Sequence, residues 1–159
     1  MNNIPQRTKA AWFSAAVLAA ALLAGAATNP DIKSLNPAAI AIKFPDQLKW
    51  TTLDNGARMA VLTGDPDKPG YYALLYKWPP HKMSRPHYHP HDRFVTVISG
   101  TWWVGTGTKF DPDHTVPLPA GSFAEHFAKQ IHYDGAKDKE VTLEIAGEGP
   151  ATSIPAEVK

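Results

Sequence analysis

Glycine and proline divide most of this sequence into short segments that leave little room for long helices. The chain contains fifteen prolines and eleven glycines among 159 residues, which suits short strands joined by many turns. Asn55-Gly56 is a strong hairpin signal, because this pair accommodates positive φ at low cost. Residues 140–145 alternate apolar and polar side chains as a half-buried strand does. After residue 27 no segment has a useful helical period, so the sequence predicts one antiparallel all-β domain, a sandwich or barrel.

Residues 86–100 contain the candidate binding residues. His87 and His89 are separated by one residue, so they lie on the same side of an extended strand, where side chains alternate between faces. Two imidazoles on one face, together with a third group from elsewhere in the chain, form part of the coordination shell of a divalent metal. The apolar run at residues 94–98 then predicts a buried strand that ends at a turn.

This segment resembles the first motif of the cupin superfamily, in which His-x-His is followed by a glutamate and then by a glycine. His87, His89 and Gly100 match the motif. Arg93 stands where the motif has its glutamate, so one metal ligand that the resemblance leads us to expect is missing.

The second cupin motif is present in part. Gly121 and His132 match it in the register that the first motif requires, whereas its proline, its second glycine and its asparagine are absent. The resemblance covers roughly residues 71–145 and is to small single-domain bacterial cupins. It implies a single domain folded as a cupin-type antiparallel jelly-roll β-barrel.

The resemblance and the composition of the termini divide the chain into four parts. The Asn- and Pro-rich lead-in and the Pro- and Glu-rich tail are expected to be loosely held. The apolar start of the barrel, residues 38–44, predicts an edge strand or a segment that swaps onto a partner. The predicted parts are a signal peptide at 1–27, a flexible lead-in at 28–37, the cupin barrel at 38–147 and a loosely ordered tail at 148–159.

His87, His89 and His132 are the metal ligands that the resemblance implies. Three neutral imidazoles leave coordination positions open for water or substrate, as a catalytic metal requires. Such a set suits Fe, Mn, Ni, Cu or Zn and does not discriminate among these ions. A pocket in which the histidines only form hydrogen bonds is the alternative.

Arg93 complicates this prediction, because its guanidinium is always charged and would repel a dication. By strand parity it shares the face of His87 and His89. Three arrangements stay open: it turns away and pairs with Asp92 or another carboxylate, it faces the pocket and binds an anionic ligand, or it abolishes metal binding. His91, at the mouth of the site, is a further candidate for binding a substrate or an anion.

His126 and Glu125 are the candidates for catalytic proton transfer. They are neighbours in a predicted strand, so their side chains point to opposite faces. A solvent-facing position for Glu125 is the competing interpretation, and His126 is also a candidate fourth ligand. The chain has no cysteine, and its serines lack the setting of an activated nucleophile.

The resemblance leads to three candidate functions, and each involves a small-molecule ligand. The first is oxidative, dioxygenase-type chemistry on a small organic molecule at a mononuclear metal. The second is non-catalytic binding of a small anion, with Arg93 in place of the glutamate. The third is metal-dependent isomerase or lyase activity. The fold hosts many functions, so only the site can choose among them. Pairing of two copies through sheet edges is also expected, as a homodimer.

The N-terminal residues predict export. Arg7 and Lys9 precede a short apolar run at residues 10–24, which ends in Gly25-Ala26-Ala27. These are the three parts of a secretory signal peptide. An uncleaved membrane anchor is the alternative, although the run is short for a bilayer span. We therefore expect a secreted, periplasmic protein without membrane contact after cleavage.

Removal of the leader also changes the charge of the chain. The sixteen basic residues lose Arg7 and Lys9, against fifteen acidic ones, so the net charge changes from +1 to −1. No basic stripe then remains, and nucleic acid is not an expected partner.

Overall fold

The structure, a computed structural model, describes Ile32 and residues 35–158. The predicted signal peptide and most of the predicted lead-in lie outside the described residues. The chain divides into two compact units, Met1–Asn36 and Pro37–Lys159. In the described part of the first unit, the Leu35 N–H donates a hydrogen bond of 3.0 Å to the carbonyl of Ile32. No helix among the described residues is both long and apolar enough to cross a bilayer.

The second unit consists almost entirely of short strands joined by turns. Its described residues contain twelve strands and two short 3-10 helices, Pro45–Gln47 and Pro112–His114. The strands are β1 (Thr51–Thr52), β2 (Arg58–Thr63), β3 (Gly70–Trp78), β4 (Lys82–Met83), β5 (His87–Tyr88), β6 (Arg93–Ser99), β7 (Thr101–Thr106), β8 (Val116–Pro119), β9 (Phe123–His126), β10 (His132–Ala136), β11 (Val141–Gly149) and β12 (Ile154–Pro155).

The strands form two sheets in which the pairs are antiparallel. The first sheet has the order β1-β2-β3-β11-β6-β9, and the second has the order β12-β5-β10-β7-β8, with β4 also paired to β10. Strands distant in sequence become neighbours, since β11 lies between β3 and β6 while β10 lies between β5 and β7. This is the double-sheet arrangement of a jelly roll. The predicted antiparallel all-β architecture is therefore confirmed.

The hydrophobic core lies on the inner faces of the sheets. Along β6 the side chains alternate, with Val97 only 1% exposed and the next residue, Ile98, 49% exposed. Leu143 on β11 pairs opposite Val97 and is fully buried. Trp102 on β7 joins the same cluster from the second sheet. The two sheets therefore share one core, whose burial supplies most of the stabilisation.

The turn between β6 and β7 requires the glycine that ends the first motif. Gly100 has a φ of 81°, and a Cβ there would collide with the carbonyl oxygen of Glu140. Only glycine adopts this conformation without strain, and only glycine fits the space. The turn moves the chain directly from the first sheet into the second.

The segment at residues 38–44 differs from its prediction, because it forms no strand. Its side chains are mostly exposed, so burial does not hold it against a sheet edge. The segment is instead connected to β2 through Lys43, whose Nζ donates to the carbonyl of Leu62 at 2.5 Å. Apolar composition alone therefore gave the wrong secondary structure here.

The C-terminal tail is more ordered than its composition indicates. In β12, Ile154 pairs opposite Tyr88 of β5 and extends the second sheet. Arg85 donates hydrogen bonds to both carboxylate oxygens of Glu157. Backbone pairing and this ion pair connect the tail to β5 and to Arg85.

Truncating Leu143 tests the position of the core. Leu143→Ala is expected to lower the free energy of unfolding by about 2–5 kcal/mol, because it removes buried methyl groups and leaves a cavity. Ile98→Ala, on the outer face of the paired strand, is the matched control and should change stability by less than about 1 kcal/mol. Urea unfolding followed by tryptophan fluorescence measures both. Equal losses would contradict the assignment of inner and outer faces.

Candidate metal centre

Strand pairing brings three predicted ligands together at one end of the second sheet. His87 on β5 lies directly opposite His132 on β10 in the antiparallel register, and side chains so paired are close neighbours on one face. His89 follows His87 by two residues and returns to that face. The ring centroids are 4.5 Å apart for His87 and His132, 4.9 Å for His87 and His89, and 5.2 Å for His89 and His132.

The three imidazoles are fixed in the same tautomer by backbone carbonyls. A carbonyl oxygen only accepts hydrogen bonds, so each Nδ1 carries the proton and each Nε2 keeps its lone pair. One ligand atom from each ring lies within 4.8 Å of the other two. Histidines that bind metals typically donate one ring N–H to a carbonyl in this way and bind the metal through the other nitrogen. The Nδ1 contacts are 2.8 Å from His87 to Arg85, 2.8 Å from His89 to Thr152 and 3.1 Å from His132 to Gln130.

Arg93 points into the site, as strand parity predicted. Its Nη1 lies 2.6 Å from Nε2 of His89. Guanidinium only donates, so the lone pair of His89 is used in this contact. Of the three arrangements left open by the sequence, pairing with Asp92 is not the one observed, since Asp92 Oδ1 accepts the backbone N–H of Ala128 at 2.6 Å.

His126 enters the site from the first sheet. It lies opposite Arg93 in the pairing of β9 with β6, and its ring centroid is 3.7 Å from that of His132. Both ring nitrogens of His126 are buried without a hydrogen-bond partner, and so is Nε2 of His132. Unpartnered buried nitrogens are unfavourable in a folded protein, and lone pairs of this kind fit a bound cation.

Burial keeps His89, His126 and His132 neutral. Burial, assisted by the charge of Arg93, lowers the pKa of His89 to about 2. Burial, assisted by the neighbouring His132, lowers the pKa of His126 to about 3. Burial also lowers the pKa of His132. Neutral imidazole is the form that binds metals, so the cluster is ready to coordinate at neutral pH.

Asp134 is a site residue that sequence reasoning missed. It is buried, and its Oδ1 accepts hydrogen bonds from the indole Nε1 of Trp78 at 3.1 Å and of Trp102 at 3.0 Å. The available signal was its spacing, because Asp134 follows His132 by two residues in a strand and must share its face.

The site opens into a cavity of about 350 Å³. One wall is apolar and includes Met59, Leu74, Val95 and Ile145. The C-terminal tail contributes a second part of the wall through Ala151 and Ser153. A cleft of this size with convergent polar groups suits a small organic molecule. The polar groups on the wall include His87, His89, Arg93, His126 and Asp134.

Two predicted site residues lie outside this cavity. Glu125 is exposed and pairs with Phe94 on the outer face of the first sheet, because it alternates with the inward-facing His126. His91 is also exposed and is not part of the cavity wall. Of the two residues expected to transfer protons, only His126 faces the cluster.

Comparison with known proteins identifies the fold. No protein family and no curated protein matches the sequence. Among solved structures, the polyketide cyclase RemF from Streptomyces resistomycificus is 11% identical with a TM-score of 0.63, over 76% of this chain and 87% of that chain. KdgF from Halomonas sp. is 16% identical with a TM-score of 0.54, over 69% and 95% of the chains.

An RmlC-like cupin from Ralstonia eutropha is 17% identical with a TM-score of 0.55, over 69% of this chain and 68% of that chain. Identities this low establish the fold alone. The predicted cupin-type jelly roll is therefore confirmed, and the histidine triad is a possible metal site within it.

The neutral histidines make stability sensitive to mild acid. Their pKa values of about 2 for His89 and about 3 for His126 lie below the value of about 6.5 in an unfolded chain. The unfolded chain therefore binds more protons below about pH 6.5, and the free energy of unfolding falls as the pH falls. We expect each such histidine to cost about 1 kcal/mol between pH 6 and pH 5.

Urea unfolding of the metal-free protein at both pH values measures this loss. His126→Gln should reduce it by about 1 kcal/mol, since one titrating group is removed. His91→Gln, at an exposed position, is the control and should leave the loss as in the wild type. An unchanged loss in His126→Gln would contradict the buried, neutral state of that residue.

Proposed function

We propose that this protein is a metal-dependent enzyme that performs dioxygenase-type oxidation of a small organic anion. His87, His89 and His132 would hold a single divalent transition metal, whose identity the donor set does not select. The observation that carries the proposal is the orientation of the imidazoles. Because each Nδ1–H is used on a carbonyl, the lone pairs are on Nε2. One ligand atom of each ring lies within 4.8 Å of the other two, and lone pairs attract cations.

The cavity beside the histidines supports a small organic substrate. Its volume of about 350 Å³ is at the small end of the range for ligand pockets. Its apolar wall would exclude water and strengthen the electrostatic interactions inside. A bound divalent metal supplies a Lewis acid that polarises the oxygen atoms of a substrate. The same fold in RemF, a polyketide cyclase, is compatible with organic substrates in such a barrel.

Arg93 is proposed to bind the anionic group of the substrate. Its guanidinium lines the cavity, and its Nε is buried without a hydrogen-bond partner. A carboxylate or enolate would satisfy Nε and a terminal nitrogen together, in the paired geometry that arginine favours. When Arg93 binds the substrate, it would leave Nε2 of His89, and that nitrogen would be available to the metal.

His126 is proposed to transfer the proton. It faces the cavity, so it lies where a base could take a proton from a bound substrate. Asp134 raises the proton affinity of His126 through its negative charge and would stabilise the imidazolium once formed.

A second candidate function is metal-free binding of a small anion. The contact between Arg93 and His89 favours it, since this hydrogen bond uses a lone pair that a metal would need. The remaining lone pairs would repel an anion rather than bind it, and for this reason we prefer the metal-dependent proposal.

We also propose that the protein is exported to the periplasm. The basic start, apolar run and small-residue end of residues 1–27 support this. N-terminal sequencing of the protein from a periplasmic fraction should begin near residue 27 or 28. A chain that keeps its original N-terminus in the membrane fraction would contradict the proposal.

Metal content tests the proposed function. We expect near one divalent metal per chain in the wild type, purified without an affinity tag, by elemental mass spectrometry. Arg93→Glu should bind the metal at least about tenfold more tightly, because it removes a repelling charge and restores a carboxylate. Double substitution of His87 and His132 by alanine should abolish binding while the circular dichroism stays unchanged.

Oxygen consumption then separates the two candidate functions. The metal-loaded wild type should consume O₂ with small aromatic or enolic acids, and Arg93→Gln should raise KM more than it lowers kcat. The result that would overturn the enzyme proposal is a metal-free wild type that retains a carboxylate ligand, together with an Arg93→Gln variant that does not. That result would support the anion-binding function instead.

A further inference from the structure

A second set of ligand atoms lies beside the three-histidine set. It consists of His126, His132 and Asp134, with one ligand atom of each residue within 4.8 Å of the other two. His132 and Asp134 are two residues apart on β10 and share one face. His126 is brought opposite them by β9 of the first sheet. The two sets therefore have His132 in common.

The buried nitrogens of this set lack partners. His132 is only 5% exposed, and its Nε2 has no hydrogen-bond partner. Its Nδ1 is directed to the carbonyl of Gln130, so Nε2 carries the lone pair. His126 has no partner on either nitrogen, although a neutral imidazole always has one lone pair to offer. Two lone pairs from different sheets are thus left for a cation.

Asp134 adds a negative charge to the set. Its Oδ1 is held by the indole groups of Trp78 and Trp102. Indole N–H groups only donate, so they fix the carboxylate in position inside the cavity. These contacts use one of its two oxygens.

Charge distinguishes the two sets. The three-histidine set contains no carboxylate, and Arg93 lies 2.6 Å from Nε2 of His89. A dication there would lose a ligand and face a positive charge. The second set has no hydrogen bond to Arg93, although the charge of Arg93 also acts on His126 and His132. It differs from the first set in containing a carboxylate. Two imidazoles and one carboxylate are a donor set typical of Fe(II) and related divalent ions.

We propose that a divalent cation binds to His126, His132 and Asp134 while Arg93 holds His89. The buried carboxylate of Asp134 would then replace the glutamate that the first motif lacks. Only one of the two sets can hold an ion at a time, because both require Nε2 of His132. The inference rests on the proposed function only in requiring that the protein bind a divalent transition metal. While the ion occupies this set, His126 is a ligand and does not transfer protons, because a neutral imidazole has one lone pair.

Competition titrations with Co²⁺ and a chromophoric chelator test the inference on the full folded chain. In the wild type, Asp134→Asn should weaken Co²⁺ binding at least about tenfold, whereas His89→Gln should change it less than about threefold. In Arg93→Glu the introduced carboxylate completes the three-histidine set, so the relative effects of the two substitutions on Co²⁺ binding should reverse. There, His89→Gln should weaken binding about tenfold and Asp134→Asn should not.

The variants are chosen to keep the surroundings intact. In Asp134→Asn the amide oxygen of the new side chain can still accept from both indoles, and in His89→Gln the new side chain still offers an acceptor to Arg93. Near-ultraviolet circular dichroism of the tryptophans checks the fold. His126→Gln is the second variant for the same set, and it should weaken Co²⁺ binding at least about tenfold even if Asp134→Asn does not fold.

The outcomes separate this inference from the proposed function. A wild type that binds no Co²⁺ overturns both. A wild type that binds Co²⁺ and loses it in His89→Gln as strongly as in Asp134→Asn or His126→Gln overturns the second set and leaves the three-histidine site standing. Selective loss in the variants of His126 and Asp134 supports the inference.

Discussion

The backbone pairing of β10 is the constraint on which the site depends. This strand pairs with β4 and β5 on one side and with β7 on the other. Its register places His132 directly against His87, while Asp134, two residues on, meets the indoles of Trp78 and Trp102. The same hydrogen bonds that build the second sheet thus set the positions of the ligands. A slip of one residue would turn both β10 groups to the opposite face, so fold and site are specified together.

Two opposing electrostatic requirements meet inside the barrel. Burial keeps the imidazoles neutral and therefore able to donate a lone pair to a metal. The charge of Arg93 favours the same neutral state, since it lowers the pKa of His89, yet it also occupies the lone pair that this state makes available. Asp134 provides the only carboxylate in the ligand sets found among the described residues. The guanidinium of Arg93 and the carboxylate of Asp134 both line the cavity, and the balance between these two charges sets the chemistry available here.

Local patterns predicted the fold and the grouping of His87, His89 and His132. His-x-His spacing, Gly100 and the alternation along β6 depend on neighbours in sequence, and each held in the structure. Strand parity also placed Arg93 on the ligand face. What the sequence did not reveal depends on long-range contacts. The two indoles that make Asp134 a site residue lie 56 and 32 positions away, and the tail was predicted from composition, which carries no information about its pairing with β5.

That pairing gives the end of the chain a part in assembling the site. The carbonyl of Thr152 fixes the ring of His89, and β12 closes the second sheet beside His87. Every ligand in the two sets is synthesised before Thr152, so a nascent chain cannot fix the ring of His89 until this later segment has been made. The order in which the polypeptide emerges, as well as the affinity of the finished site, would then decide which ion the protein acquires.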